Sequence, residues 1–173
     1  MATLEFEGDV TIIDPKKETV KEMRDAYAHT YWQLRHGKGI TLYDAQRRMR
    51  ERNYYAAMMV REGDADAMIS GYSRSYPNVL KPILQVIDTQ EGVNRVATTN
   101  LMITNRGPLF ISDTSININP NAKELAKIAQ MTSYTAALFG IQPKVAMLSY
   151  SNFGSSKNED AQKVSKAVKL IHR

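Results

Sequence analysis

The sequence predicts an α/β fold: a mixed, largely parallel sheet with flanking helices, preceded by a helical segment. Two observations carry this. The first 62 residues show helical periodicity around one short apolar run, and from residue 63 onward short apolar runs alternate with polar loops and helical stretches. The expected organisation is therefore 1–62, an N-terminal strand and helical segment, and 63–173, an α/β core, packed as one compact unit.

Val10–Ile13 is a short apolar run closed by Asp14-Pro15, the pattern of a strand ending in a turn. From Glu18 to Arg35 the apolar residues Val20, Met23, Tyr27, Tyr31 and Leu34 recur at spacings of three and four, which predicts a helix ended by Gly37 and Gly39. Thr41, with Asp44 in capping-box position, starts a second helix through about Glu51. Asn53 caps a third from Tyr54 to Val60, where Tyr54-Tyr55 and Met58-Met59 are core residues. Ala65–Ile69 reads as a buried strand running into Ser70-Gly71. A helix follows over Tyr76–Ile87, with Pro82 expected to kink it or displace its start. Val93–Thr104 and Leu109–Ser112 read as paired strands around Asn105-Arg106-Gly107-Pro108. Asn121 caps a long helix to Phe139, stopped by Gly140. Lys144–Leu148 is a further buried strand, and Glu159–Ile171 the last helix.

Composition narrows the function classes. The 173 residues contain no cysteine, which removes disulfides, thiolate metal sites and cysteine nucleophiles. No apolar run reaches the roughly 18 residues of a membrane helix, and the acidic N-terminus is unlike a signal peptide, so a cytoplasmic location is expected. The net charge is +5, and the densest basic patch is Arg47, Arg48, Arg50 and Arg52. A continuous helix would spread those arginines over more than one face, so they read as solvated surface, and no nucleic-acid module accompanies them. His29, His36 and His172 lack metal-ligand spacing, and no GxGxxG or GxSxG is present, so no metal and no catalytic residue is assigned.

Three loops after predicted strands carry the candidate chemistry, because ligands of open α/β sheets sit beyond the strand carboxyl ends. In the first, Gly71, Ser73, Arg74 and Ser75 open a helix whose N-terminus attracts an anion. Arg74 can add a bidentate clamp; equally, Ser75 is a plain cap and Arg74 is solvated. In the second, Asp113 and Asn117 stand just past a strand, as ligand-orienting groups or as turn formers. In the third, Ser149, Ser151, Gly154, Ser155 and Ser156 combine hydroxyls with a glycine, which suits a phosphate or oxyanion cradle.

At these loops the sequence resembles the phosphate acetyltransferase family. The runs are Asp64-Ala-Asp-Ala-Met-Ile-Ser-Gly71, Val79-Leu-Lys-Pro-Ile-Leu-Gln-Val-Ile87, Asp113-Thr-Ser-Ile-Asn-Ile-Asn-Pro120 and Val145-Ala-Met-Leu-Ser-Tyr-Ser151. Gly71-Tyr-Ser-Arg-Ser-Tyr-Pro77 with Ser149-Tyr-Ser-Asn-Phe-Gly-Ser-Ser156 is similar to the C-terminal phosphate-acetyltransferase-like domain of hybrid bacterial NADP-dependent malic enzymes. The resemblance implies an isocitrate/isopropylmalate-dehydrogenase-like architecture and acetyl-CoA as ligand, with no cofactor in this chain. It implies a domain that binds acetyl-CoA as an allosteric effector and aids homo-oligomerisation; NADP and a divalent metal would serve malate decarboxylation in other domains. Part of an active phosphate acetyltransferase, or a purely structural oligomerisation module, are the alternatives. Where the family carries arginine in an "IRPALQ" run, this chain has Lys81, a point charge in place of a planar fork. The family's catalytic Ser-Arg pair and nearby Asp lie beyond the counterpart of His172-Arg173, so the chain is expected to be a piece of a larger protein. On that expectation the chain alone is inactive.

Overall fold

The computed structural model describes residues 8–93, 95–151 and 154–172. Met1–Glu7, Asn94, Asn152, Phe153 and Arg173 lie outside them, and with these most of the acidic N-terminus and the centre of the third loop. The fold is mixed α/β, and the chain divides into two compact units, residues 1–92 and 93–173.

Unit 1 is helical. A 3-10 turn, Glu18–Val20, leads into α1 (Lys21–Arg35), and a second, His36–Lys38, reaches Gly39 in the left-handed region. Helix α2 (Leu42–Arg48) starts at Thr41, whose hydroxyl accepts from Asp44 N while the Asp44 carboxylate accepts from Thr41 N. That reciprocal capping box is the one the sequence predicts. Helix α3 (Arg52–Glu62) begins at Glu51 without a side-chain cap, and α4 (Tyr76–Val86) begins at Ser75.

Asn53 therefore does not cap α3; its side chain is buried between helices, and Pro82 explains why. Proline has no N–H for the carbonyl four residues earlier, which in α4 is Asn78 O. Asn53 Nδ2 donates to that carbonyl at 3.4 Å, and Asn53 Oδ1 accepts from Ser70 Oγ at 2.9 Å. The vacancy left by Pro82 is filled from α3, and α4 runs through the proline from Tyr76 to Val86.

The core of unit 1 is built from Tyr27, Ala28 and Tyr31 of α1, Ala45 and Met49 at the end of α2, Tyr54, Tyr55, Ala57 and Met58 of α3, and Val86 of α4. Tyr54, Tyr55 and Met58 are buried as the sequence implies. Met23 and Leu34 lie half out of the predicted apolar face of α1, and Arg24 is buried instead, its Nη1 donating to Pro15 O and Lys17 O at 3.0 Å each.

Unit 2 holds the described sheet. Strand β1 (Thr99–Thr104) pairs antiparallel with β2 (Gly107–Ser112), from Thr99 opposite Ser112 to Thr104 opposite Gly107. The two-residue connection Asn105-Arg106 is tighter than the four-residue turn expected, and Pro108 sits within the ladder opposite Ile103. Helix α5 (Ala122–Leu138) is capped by Asn121, whose Oδ1 accepts from Lys123 N and Glu124 N while Glu124 Oε2 accepts from Asn121 N. Helix α6 (Glu159–Ile171) matches the predicted span and packs on α5, burying Ala161 and Ala167. Replacing Asn121 with Ala is expected to cost about 1 kcal/mol in denaturant unfolding, with Asn121→Asp near neutral.

The sheet among the described residues is thus a two-stranded antiparallel ribbon rather than a largely parallel one. Val10–Ile13, Ala65–Ile69 and Lys144–Leu148 carry no strand pairing there. Their side chains are not those of buried strands either: Ile12 is 91% exposed, Ile69 100% and Leu148 84%. A strand exists only through ladder hydrogen bonds to a neighbour, so apolar sequence alone does not make one. No described helix is long and apolar enough to cross a membrane.

Candidate functional site

Unit 1 contains a cleft of about 350 Å³ whose lining includes Arg47, Arg48, Arg52, Arg74 and Lys81, with Asn53, Tyr54, Asn78, Pro82 and a single carboxylate, Glu51. It arises because α2 stops at Arg48 and α3 restarts at Arg52. Three of the four arginines of the basic run, Arg47, Arg48 and Arg52, line this cleft, and Arg50 does not. The first turns of α4 and the residues before it supply Arg74, Asn78 and Lys81.

Arg48 is the anchor. Its Nη1 donates to Tyr31 Oη at 2.5 Å, Gln85 Oε1 at 2.8 Å and Tyr54 Oη at 3.5 Å. Its guanidinium lies 5.8 Å and 5.5 Å from the ring centres of Tyr31 and Tyr54, within cation–π range. Tyr31 and Tyr54 also donate to Gln85 Oε1, at 3.0 and 2.7 Å, so one amide oxygen gathers side chains from all four helices. Burial pushes the Tyr54 phenol up to about 12, so it remains a neutral donor at physiological pH. The sequence reading of these arginines as solvated surface holds for exposed Arg47 and Arg52 but misses half-buried Arg48. The phenols of Tyr31 and Tyr54 were the available signal, since a buried phenol is stabilised by a polar partner.

Of the first predicted loop, Arg74 and Lys81 line this cleft. Ser73 Oγ accepts from Arg52 Nη2 at 3.2 Å, tying the loop to α3. Gly71 adopts φ +124°, a conformation side chains rarely take, which sets the turn into α4. Ser75 is the N-cap residue of α4 but makes no capping hydrogen bond through its side chain.

The second and third loops belong to unit 2. Asp113 is half-buried and fully engaged: Oδ1 accepts from Thr98 N at 3.0 Å and Thr98 Oγ1 at 2.6 Å, and Oδ2 from Asn117 N at 2.8 Å and Asn117 Nδ2 at 2.5 Å. Burial opposes its ionisation, but the hydrogen bonds from Thr98 and Asn117 outweigh it and hold the carboxyl well below the usual range. Asn117 also donates to Val96 O at 3.0 Å and accepts from Arg95 Nη1 at 2.8 Å. Asp113 and Asn117 hydrogen-bond to each other, and together they tie their loop to Val96 and Thr98, the segment that leads into β1.

In the third loop Ser149 Oγ donates to Ser151 O at 3.1 Å and accepts from Ser151 N at 3.2 Å. Ser151 Oγ accepts from Ser156 N at 3.0 Å and lies 3.3 Å from Ser155 Oγ. Ser156 Oγ lies 2.9 Å from Tyr150 Oη, and Gly154 turns the loop at φ +80°. The four serines are linked through Ser151 before the N-terminus of α6: Ser149 contacts its backbone, and Ser155 and Ser156 its hydroxyl.

The whole chain, residues 1–173, matches the phosphate acetyl/butaryl transferase family. It is 39% identical over 161 residues to a phosphate acetyltransferase of Synechocystis sp., covering 93% of this chain and 23% of that protein. It is 37% identical over 163 residues to the phosphate acetyltransferase of Bacillus subtilis, covering 94% of this chain and 49% of that protein. The chain thus spans at most about half the length of these relatives. Among solved structures, it is similar to the EutD phosphotransacetylase from Staphylococcus aureus (TM-score 0.77, 35% identity, 93% of this chain and 47% of that one). It is also similar to a phosphotransacetylase from Streptococcus pyogenes (TM-score 0.78, 38% identity, 95% of this chain and 49% of that one). The chain belongs to the phosphate acetyl/butyryl transferase family.

Proposed function

We propose that this chain is part of a phosphate acetyltransferase, in which it helps bind the phosphate-bearing reactants of acetyl transfer between coenzyme A and phosphate. The observation that supports this reading is the shared cleft of Arg74 and Lys81, set within a family whose compared relatives are phosphate acetyltransferases. In the reaction a phosphate oxygen attacks the thioester carbonyl, the C–S bond breaks, and coenzyme A leaves as the thiolate that takes up a proton. Cations that hold phosphate in place and offset the developing oxyanion accelerate such a step. Arg74 supplies a planar fork for two phosphate oxygens and Lys81 a point charge. In unit 1, Gly71 lets backbone approach a ligand and Ser73 and Ser75 present the α4 N-terminus. In unit 2, Ser149, Ser151, Ser155 and Ser156 offer hydroxyls to an acyl or phosphate group, Gly154 turns their loop, and Asp113 and Asn117 shape the loop before α5. No residue of this chain is assigned the role of nucleophile or base.

The proposed setting is a longer protein with the isocitrate/isopropylmalate-dehydrogenase-like parallel sheet. In that setting the segments around Ile69 and Leu148, which have no strand pairing among the described residues, form strands of the sheet. A homo-oligomer in the cytoplasm completes the picture.

A coupled assay of acetyl-CoA formation from acetyl phosphate, run on the full-length protein, tests the reading. Arg74→Gln is expected to lower kcat/KM by about 10–100-fold, chiefly through a raised KM for acetyl phosphate. A parent protein with no transferase activity would sink it.

Lys81, in place of the family's arginine, favours a second reading in which the same cleft binds acetyl-CoA without turning it over. There the parent is a hybrid NADP-dependent malic enzyme, with NADP and a divalent metal serving domains outside this chain, and acetyl-CoA acts as allosteric effector. Malate-dependent NADP reduction, inhibited by acetyl-CoA and relieved in Arg74→Gln, distinguishes it. Self-association without acetyl-CoA binding heat would instead mark a structural oligomerisation module.

A further inference from the structure

We infer that Lys81 is a covalent modification site, whose Nζ takes the acetyl group of an acyl phosphate held by the arginines around it. The inference rests on the reading that this cleft receives such donors, and adds a chemical fate for one of the cleft's own side chains.

Lys81 is the one amine among the residues that line the cleft; its cationic neighbours there, Arg47, Arg48, Arg52 and Arg74, are all arginines. A guanidinium stays charged at neutral pH and offers no electron pair to an acyl carbon, whereas the amine of lysine attacks carbonyls once it has released a proton. Tyr54, the one phenol of the lining, is kept neutral by burial, which pushes it up to about 12. Lys81 is therefore the nucleophile of this cleft. It is exposed, and among the described residues it makes no ion pair. Lys21 is the contrast: Asp25 at 2.9 Å raises its pKa and keeps it in the unreactive ammonium form.

Five cations face a single acidic lining residue, Glu51. A cleft of one sign raises the local concentration of an anionic reagent by about 10–10³-fold. Arg52 donates to Ser73 Oγ at 3.2 Å, which ties α3 to the loop of Arg74. In acetyl phosphate the acyl carbon is one bridging oxygen from phosphorus, so holding the phosphate also brings the carbonyl into the cleft. In acetyl-CoA a long arm separates the thioester from the phosphates, and a cleft of about 350 Å³ does not hold both. The chemistry therefore selects the acyl phosphate. The free amine attacks the acetyl carbon, the N–C bond forms and the C–O bond to phosphate breaks. Phosphate leaves with the electron pair and takes up the proton that the nitrogen sheds. The product is a neutral amide, so the cleft loses one of its cations and an excess of acyl phosphate weakens the site that holds it.

Peptide mass spectrometry of the full-length protein, incubated with acetyl phosphate, acetyl-CoA or uncharged acetic anhydride, tests the inference. With acetyl phosphate Lys81 is expected to react about tenfold or more faster than Lys16 and Lys38, two exposed lysines outside the cleft. With acetic anhydride the three are expected to react alike. Arg74→Gln is expected to remove most of the Lys81 excess. Competition by inorganic phosphate on the wild type gives the same reading should that variant fail to fold. Equal rates at the three lysines with acetyl phosphate overturn the inference. So does an excess that acetic anhydride reproduces, one that survives both Arg74→Gln and phosphate, or one seen with acetyl-CoA alone. Protein acetylated at Lys81 is expected to bind inorganic phosphate severalfold more weakly in calorimetry, and unchanged affinity overturns the weakening. Acetyl transfer without selective labelling of Lys81 sinks this inference alone; selective labelling in a protein without transfer sinks the transferase reading alone.

Discussion

Tyr31→Ala is expected to be the most damaging single substitution in unit 1, costing about 3–5 kcal/mol. Tyr31 is among the largest fully buried side chains, and it packs edge-on against Tyr54 with ring centres 5.5 Å apart. Removing the ring leaves a cavity at the centre of the helical cluster. It also strips Arg48 and Gln85 of a hydroxyl partner, leaving a half-buried guanidinium less well paired. Against a typical total of about 5–15 kcal/mol, such a loss is a large fraction of stability. Denaturant unfolding followed by circular dichroism measures it, with Tyr31→Phe as the control that keeps the ring. Phe is expected to retain most of the packing and lose about 1–3 kcal/mol through the hydroxyl alone. Equal costs for the two variants would show that the polar cluster, and not the aromatic packing, holds unit 1 together.

Asp113→Asn should cost about 2–3 kcal/mol in unit 2 at neutral pH, because the backbone N–H groups of Thr98 and Asn117 lose a charged acceptor. The pH dependence gives a second handle. Asp113 has its folded-state pKa depressed below the unfolded value, so the stability it adds is fully present above about pH 4. That stability is lost progressively as pH falls toward the folded pKa. Thermal unfolding at pH 7 and pH 3 should show wild type losing more between the two conditions than Asp113→Asn does. Parallel pH profiles would mean that the carboxylate is not what braces the loop.

The same contrast between a residue's type and its partners separates what was legible in the sequence from what was not. The capping boxes at Thr41 and Asn121, the glycine stop at Gly39, the hairpin around Asn105-Arg106 and the span of α6 all depend on residues within a few positions of one another. Local chemistry of that kind is written directly in the order of residues. The family signature was legible for a related reason, since its motifs are contiguous loops: Gly71–Ser75, Asp113–Pro120 and Ser149–Ser156.

What the sequence left open involves partners far along the chain. Ala65–Ile69 and Lys144–Leu148 have strand composition, but a strand is a relation to a neighbour, and among the described residues they have none. Asn53 has the composition of a cap and serves instead to satisfy the carbonyl that Pro82, 29 positions away, leaves free. Asp113 reads as a ligand-orienting group or a turn former, and its partner Thr98, whose N–H and hydroxyl both donate to one carboxylate oxygen, lies 15 residues earlier. By itself the sequence determined the helices, the caps at Thr41 and Asn121, the hairpin, the absence of thiol chemistry and the membership of the family. Only the tertiary structure decided that Arg47, Arg48 and Arg52 share a cleft with Arg74 and Lys81, because the packing of α4 against α3 brings in residues more than twenty positions further along the chain.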